Sequence, residues 1–459
     1  MMPSSPSFLR RVDAVSWRLL IAASMLVVLA GCQNVNLVQR KVPEPRPAPQ
    51  ATAPGEPQNP ATQAPAPLTP GPGERLATGK ARVALLLPLS GANAALGKSM
   101  LNAAELALFL SESDKLELLP RDTEGPGGAA AAASSALDAG AELILGPIFA
   151  NAVQDVAPIA QARNVPVISF SNDGTVAGNG VFVAGFTPEN QIDRVVSFAR
   201  SHGAQKFAAL VPDSPYGTRT IEALNQSVAT FGGSVTRVAR YTSTDTQDLS
   251  PVIRQLADYD SRRAALRANR EALAAKNDEA SKAALKRLDG VETAGDPQFD
   301  ALLIPEGGSR LRAIAPQLSL FDIDTRRVRT LGSFDWNDPL TETEPALNGG
   351  WYPTPPPDSR DQFESSYQKT FNASPPRIAS IAFDTTLLAA VLTRTEPDPG
   401  QGRFAIERLT QPNGFAGADG IFRLKSNGIA ERGLAVVEVH LRASRIVGPA
   451  PTTFDQPTN

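Results

Sequence analysis

The chain has 459 residues, 42% apolar and 20% charged, with a formal net charge of −3, ordinary values for a soluble globular protein. That balance excludes a basic nucleic-acid footprint and gives no support to surface binding of an anionic membrane. The two histidines, His202 and His440, lie far apart without evident partners, which argues against a histidine-built metal site or acid–base pair, and the single cysteine excludes an intrachain disulfide.

Arg10, Arg11 and Arg18 precede an apolar run of about a dozen residues, the pattern of a signal peptide and too short for a spanning helix. The run ends in Leu29-Ala30-Gly31-Cys32, which matches the bacterial lipobox. Residues 1–31 are therefore expected to be removed, leaving Cys32 lipidated at the mature N-terminus. Gln33 follows instead of an aspartate. The pattern thus implies the periplasmic face of the outer membrane of a Gram-negative bacterium, with the lipid as the only membrane contact. Residues 43–72 contain 11 prolines among Ala, Gln, Thr and Gly. Such a segment buries too little to fold and favours extended polyproline II, so 32–80 reads as anchor and tether.

From Arg82 short aliphatic runs alternate with helical spacing. Strands are predicted at Val83–Leu87, Leu116–Leu119, Leu143–Leu145 and Val165–Phe170, with helices at Ala92–Leu110, Gly128–Leu137 and Asn151–Arg163. The rhythm repeats with helix Pro188–His202, strand Phe207–Val211, helix Tyr216–Phe231 and strand Val235–Arg240. Strand Ala301–Ile304, helix Ser309–Leu320 and strand Val328–Leu331 follow. Uniformly apolar strands separated by helices predict parallel sheets covered on both faces. The fold class is α/β with two lobes. We expect a folded region over 81–450: lobe one at about 81–186 plus 350–395, lobe two at about 187–345 plus 396–450, and a tail at 451–459. Residues 254–290 interrupt the rhythm, being dense in Arg, Lys, Asp, Glu and Ala. They read either as a solvated helical extension or as a protruding arm for a protein partner.

Val83-Ala84-Leu85-Leu86-Leu87-Pro88-Leu89-Ser90-Gly91 resembles the first strand and ligand loop of the type I periplasmic binding proteins, the leucine/isoleucine/valine-binding group. Val167-Ile168-Ser169-Phe170-Ser171-Asn172 resembles their fourth strand and loop, and Val211 to Gly217 their second-lobe loop with its ligand-facing tyrosine. The resemblance covers about 81–445 and implies a type I periplasmic-binding-protein fold. The lipobox with its tether, the Gly146-Pro147-Ile148 loop and the charged insertion before Phe299 further resemble the penicillin-binding-protein activator lipoproteins. That branch implies a non-catalytic regulator that binds a peptidoglycan synthase.

In such folds a ligand sits between the lobes at the carboxyl ends of the strands. The candidate cleft residues are Ser90, Gly91, Asn93, Gly146, Phe149, Ser169, Ser171, Asn172, Asp213, Tyr216, Glu306, Asp335 and Trp336. Tyr216 and Trp336 are expected to close over an apolar group. The resemblance implies hydroxyls after the third and fourth strands for a ligand carboxylate and a second-lobe acid for its ammonium. Here Pro147-Ile148-Phe149 replaces the hydroxyls of the third-strand loop, and each remaining hydroxyl also suits a turn or cap. The favoured reading is a synthase activator; the alternative is a lipid-anchored amino-acid receptor of an ABC transporter. An enzyme is disfavoured: no nucleophile elbow stands at a strand–helix junction, and Gly73 to Lys80 has the wrong spacing for a P-loop. No catalytic residue, metal or cofactor is expected.

Overall fold

The computed structural model describes residues 79–242, 248–399 and 401–454. Cys32, the signal peptide and nearly all of the tether lie outside them, as do the last five residues. Among the described residues no helix is long and apolar enough to cross a membrane.

The first lobe begins with β1 (Ala81–Leu87), α1 (Ala94–Leu110), β2 (Leu116–Asp122), α2 (Gly128–Asp138), β3 (Leu143–Leu145), α3 (Ala150–Ala162), β4 (Val167–Ser169) and β5 (Val181–Val183). Its strands pair in the order β2-β1-β3-β4-β5, all parallel. β1 is buried on both faces apart from Arg82, because helices cover both sides. Met100, Ala103, Ala104 and Ala107 give α1 one buried stripe at helical spacing.

The second lobe contains α4 (Pro188–Ser201), β6 (Lys206–Pro212), α5 (Pro215–Phe231), β7 (Ser234–Tyr241), α6 (Ser250–Leu256), α7 (Tyr259–Lys276), α8 (Glu279–Arg287), β8 (Ala301–Ile304), α9 (Gly308–Ser319), β9 (Arg329–Gly332) and β10 (Trp351–Thr354). The chain then forms α10 (Pro357–Phe371), α11 (Ala379–Arg394), the antiparallel strands β11 (Phe415–Gly417), β12 (Gly420–Leu424) and β13 (Ala430–Arg432), and finally β14 (Ala435–Glu438) and β15 (Arg445–Gly448). The second sheet runs β15-β14-β10-β9-β8-β6-β7. It is parallel from β7 to β10 and closes with two antiparallel edge strands.

This partition differs from the expected one in two places. β10, expected in lobe one, lies between β9 and β14 of the second sheet. Residues through β13, expected in lobe two, pack on lobe one, where Phe415, Phe422, Leu424 and Ala430 share a core with Leu85, Met100 and Leu145. The chain therefore crosses between lobes three times: between β5 and α4, between β10 and α10, and between β13 and β14.

Residues 254–290 carry the helical hairpin α7–α8. Its base is fixed by Arg262, which donates to the Thr293 hydroxyl at 2.7 Å, to the Gly295 carbonyl at 2.8 Å and to Asp322 at 3.0 Å. Beyond that base only Leu266 and Ser281 are buried on the two helices.

Candidate ligand cleft

The carboxyl ends of both parallel sheets carry the loops that face each other across the lobes. In lobe one, the loop after β1 leaves Ser90 and Gly91 exposed, and its backbone N–H groups at Leu89 and Ser90 donate to Asp122 at 2.9 and 3.3 Å. Asn93 Nδ2 donates to Glu124 at 2.7 Å. Gly146 is held at φ +89°, and a Cβ there would lie 2.3 Å from the Leu86 carbonyl oxygen, so glycine is required where β3 leaves the sheet. Phe149 follows, 38% exposed, an apolar group on this wall where a hydroxyl was expected.

The loop after β4 shows what its hydroxyls do. Ser169 is fully buried, donates to the Pro147 carbonyl at 3.2 Å and accepts the Ser171 N–H at 3.0 Å. Ser171 in turn accepts the Asp173 N–H at 3.0 Å. Both hydroxyls are thus engaged in building the turn, and Asn172 alone of the three expected residues is exposed.

In lobe two, Ser214 caps α5 by accepting from the Gly217 N–H, which places Tyr216 in the first helical turn. The Tyr216 hydroxyl is driven well above the usual tyrosine range by burial, reinforced by the charges of Asp335 and Glu306. Tyr241, at the end of β7, donates its hydroxyl to Glu306, and burial then raises the Glu306 carboxyl above its ordinary value despite that bond and the nearby Arg310. Tyr216, Tyr241, Glu306 and Asp335 therefore form one polar group on this wall. Asp213 stands exposed at its edge, 3.5 Å from Arg240.

Trp336 departs from expectation. It is 1% exposed and donates through Nε1 to the Ile304 carbonyl at 3.1 Å, inside the second-lobe core. Gly332 makes the room, since a Cβ there would lie 2.1 Å from the indole. Trp336 therefore does not close over a ligand.

Two arginines absent from the expected set span the lobes. Arg219 on α5 meets Asp173 at 3.1 Å, each side chain 19% exposed. Arg377, which precedes α11, approaches Asp335 at 3.6 Å and donates to the carbonyls of Phe334 and Asn337. Tyr241 was missed as well, although its place at the carboxyl end of a parallel strand is a signal the sequence carries. The arginine pairs leave no such signal, because they join residues distant in sequence.

The histidines also have partners. His440 lies 2.7 Å from Glu438, Trp351 Nε1 donates to the same carboxylate at 2.9 Å, and the His202 ring lies 5.3 Å from the Trp351 ring. Both sit on lobe two around the first residue of β10, away from the cleft loops. Among the described residues no cluster of three metal-ligating side chains occurs.

The model of the family "Periplasmic binding protein" matches residues 80–444. The fold is similar to that of a branched-chain amino acid ABC transporter protein from Rhodospirillum rubrum, at TM-score 0.61 and 17% identity, covering 80% of this chain and 100% of that one. It is also similar to an ABC transporter substrate-binding protein from Sphaerobacter thermophilus, at TM-score 0.58 and 16% identity over 82% of this chain and 99% of that one. An uncharacterized protein of Rickettsia prowazekii is 25% identical over 146 residues, which are 32% of this chain and 39% of that protein. With a two-lobed architecture, facing carboxyl-end loops and a family match over most of its length, this chain belongs to the periplasmic binding protein family.

Proposed function

We propose that this chain is a non-catalytic receptor that takes a small polar solute between its lobes and presents it to an ABC-type importer. The observation that carries this reading is the polar group formed by Tyr216, Tyr241, Glu306 and Asp335. It gathers two hydroxyls and two carboxylates at the carboxyl ends of one sheet, facing the Ser169–Asp173 loop of the other. Lobe one is poorer in free hydroxyls, so the second lobe supplies the discriminating polar contacts. Family membership implies a periplasmic location; lipidation at Cys32 would hold the receptor at a membrane and let residues 33–80 set its reach. The test is a thermal-shift and calorimetric screen with amino acids, amines and small organic acids. A solute at a hundredfold excess over its dissociation constant would stabilise the fold by about 2.7 kcal/mol. Glu306→Gln should weaken that response, and an intact protein that answers no solute of any class overturns the reading.

One feature favours a second role, regulation of a peptidoglycan synthase by direct contact. The α7–α8 hairpin is built on a fixed base yet buries almost nothing beyond it, an economical shape for a partner surface. Capture of a bifunctional synthase by the intact protein, lost on deletion of 263–288, would support it. Capture that survives the deletion would remove the hairpin from this role.

A further inference from the structure

The polar groups of the cleft fix the sign of the solute it can hold. In lobe one the donors are spent on the protein itself. Leu89 and Ser90 give their N–H groups to Asp122, Asn93 gives its amide to Glu124, and Ser169 gives its hydroxyl to the Pro147 carbonyl. Phe149 adds an exposed apolar ring, and Asn172 keeps only a neutral amide. The arginines near the cleft are engaged as well. Arg219 pairs with Asp173 at 3.1 Å, Arg377 donates to the Phe334 and Asn337 carbonyls, and Arg310 lies over the Tyr241 ring at 5.7 Å. A ligand carboxylate brought here gives up its water without gaining a charged partner, which is costly.

The acceptors are in the opposite state. Glu306 accepts from Tyr241 through one oxygen and Glu124 from Asn93 through one oxygen, and neither makes an ion pair among the described residues. The Asp335 side chain is 61% exposed, and its approach to Arg377, 3.6 Å, is longer than a hydrogen bond. The loops after β8 and β9 lie side by side, since a Cβ on Gly307 would come within 2.6 Å of that of Asp335. Burial, and then the charge of Asp335, raise the Glu306 carboxyl, and a cation placed between two such acids relieves both effects. On the facing wall Glu124 is exposed, its second oxygen lying over Gly91, where a Cβ would come within 2.1 Å.

We propose that the solute of this cleft is a small amine without a carboxylate. Its ammonium binds Glu306 and Asp335, Glu124 supplies the facing negative charge, and its hydrocarbon part meets Phe149. This narrows the receptor reading, on which it rests: an α-amino acid with the same side chain is rejected, because its carboxylate finds no free charged donor and meets carboxylates on both walls.

The test is calorimetry of the full chain with pairs of probes that differ only in the carboxylate: leucine and 3-methylbutylamine, phenylalanine and 2-phenylethylamine, ornithine and 1,4-diaminobutane. In at least one pair the amine should bind about ten-fold or more tightly than its amino acid, the worth of one charge-assisted hydrogen bond. Asp335→Asn should weaken that amine by a similar factor, and Glu124→Gln by about three-fold, as for an exposed charge. Both residues are exposed, so unchanged thermal midpoints will show that the variants are folded. An amino acid that binds as tightly as its amine in every pair that binds overturns the amine and leaves the receptor standing. So does an amine that binds both variants with full affinity, which would place it away from these acids. If neither member of any pair binds the folded protein in the millimolar range, the amine is overturned, and the receptor reading falls with it only when small organic acids are silent too.

Discussion

Arg432→Met probes the ion network that joins the crossovers. The Arg432 side chain is 1% exposed and lies 3.5 Å from Asp384 and 3.9 Å from Asp419, both fully buried. It donates to the Ala184 carbonyl at 2.6 Å and stacks over Phe186 and Phe422 at 4.6 and 5.3 Å. Arg360 holds the other Asp419 oxygen at 2.7 Å. Methionine keeps much of the stem's volume, so packing changes little, but two buried carboxylates are left sharing one arginine. Breaking a buried pair by removing one partner costs about 3–5 kcal/mol. Burial, with the charge of Asp419, pushes the Asp384 carboxyl up to about 7 even with Arg432 present. The loss must therefore be greater at pH 8, where Asp384 is charged, than at pH 5, where a proton replaces the missing cation. Urea unfolding at both values measures it, with the slope in denaturant serving as a check on two-state behaviour. A loss under about 1 kcal/mol at pH 8, or a larger loss at pH 5, refutes the account.

Asp384→Asn tests the same group by titration. A carboxyl raised from 3.8 to about 7 on folding contributes stability below about pH 4 that is lost as pH rises through 7. The variant should therefore lack that fall, and a thermal midpoint profile parallel to wild type would contradict this. Arg219→Gln removes the 3.1 Å contact with Asp173; the radius of gyration in solution scattering should rise while the thermal midpoint barely moves, and an unchanged radius would deny the pair a part in closure. Gly332→Ala puts a methyl against the Trp336 ring and should cost about 1–3 kcal/mol by overpacking. Near-ultraviolet circular dichroism should report the displaced indole, and an unperturbed spectrum at full stability would overturn this packing.

The sequence revealed most where local pattern and tertiary demand coincide. Apolar runs such as Val83–Leu87 are buried on both faces of a parallel sheet, so the run itself announces the strand. β5, Val181–Val183, was not read: it follows a glycine-rich turn, and its pairing with β4 is decided by tertiary contact. Lobe membership was less legible for a different reason. Which sheet β10 joins is decided by pairing with β9 and β14, residues 20 and more than 80 positions away, and nothing in Trp351–Thr354 encodes the choice. Site chemistry divided similarly. Tyr216 and Glu306 lie at strand ends, where position alone identifies them. Trp336 lies at a strand end too, but a vacancy at Gly332, invisible to composition, draws it into the core. The serines of the fourth loop show that residue type does not distinguish a ligand contact from a turn: Ser169 and Ser171 form a relay of backbone bonds.

The lobes are joined by arginines in a way that bears on how cargo would be held. Arg432 reaches the first crossover, Arg377 clasps the loop after β9, and Arg219 meets Asp173 near the mouth. Arg377 and Arg219 each set a guanidinium from one lobe against a carbonyl or carboxylate of the other, so part of the closing force comes from the chain itself. In a two-state receptor the apparent affinity is reduced by the fraction of molecules that are open and incompetent. Arginines that favour closure shrink that penalty for capture. The same arginines raise the cost of opening, so release requires an agent that binds the open form better than the closed one. A transporter or another partner protein meets that requirement, and the exposed α7–α8 hairpin on the second lobe offers such a partner a place to apply the difference. Weakening Arg219 should therefore lower solute affinity and speed spontaneous release together, a coupling that a lobe interface indifferent to closure would not produce.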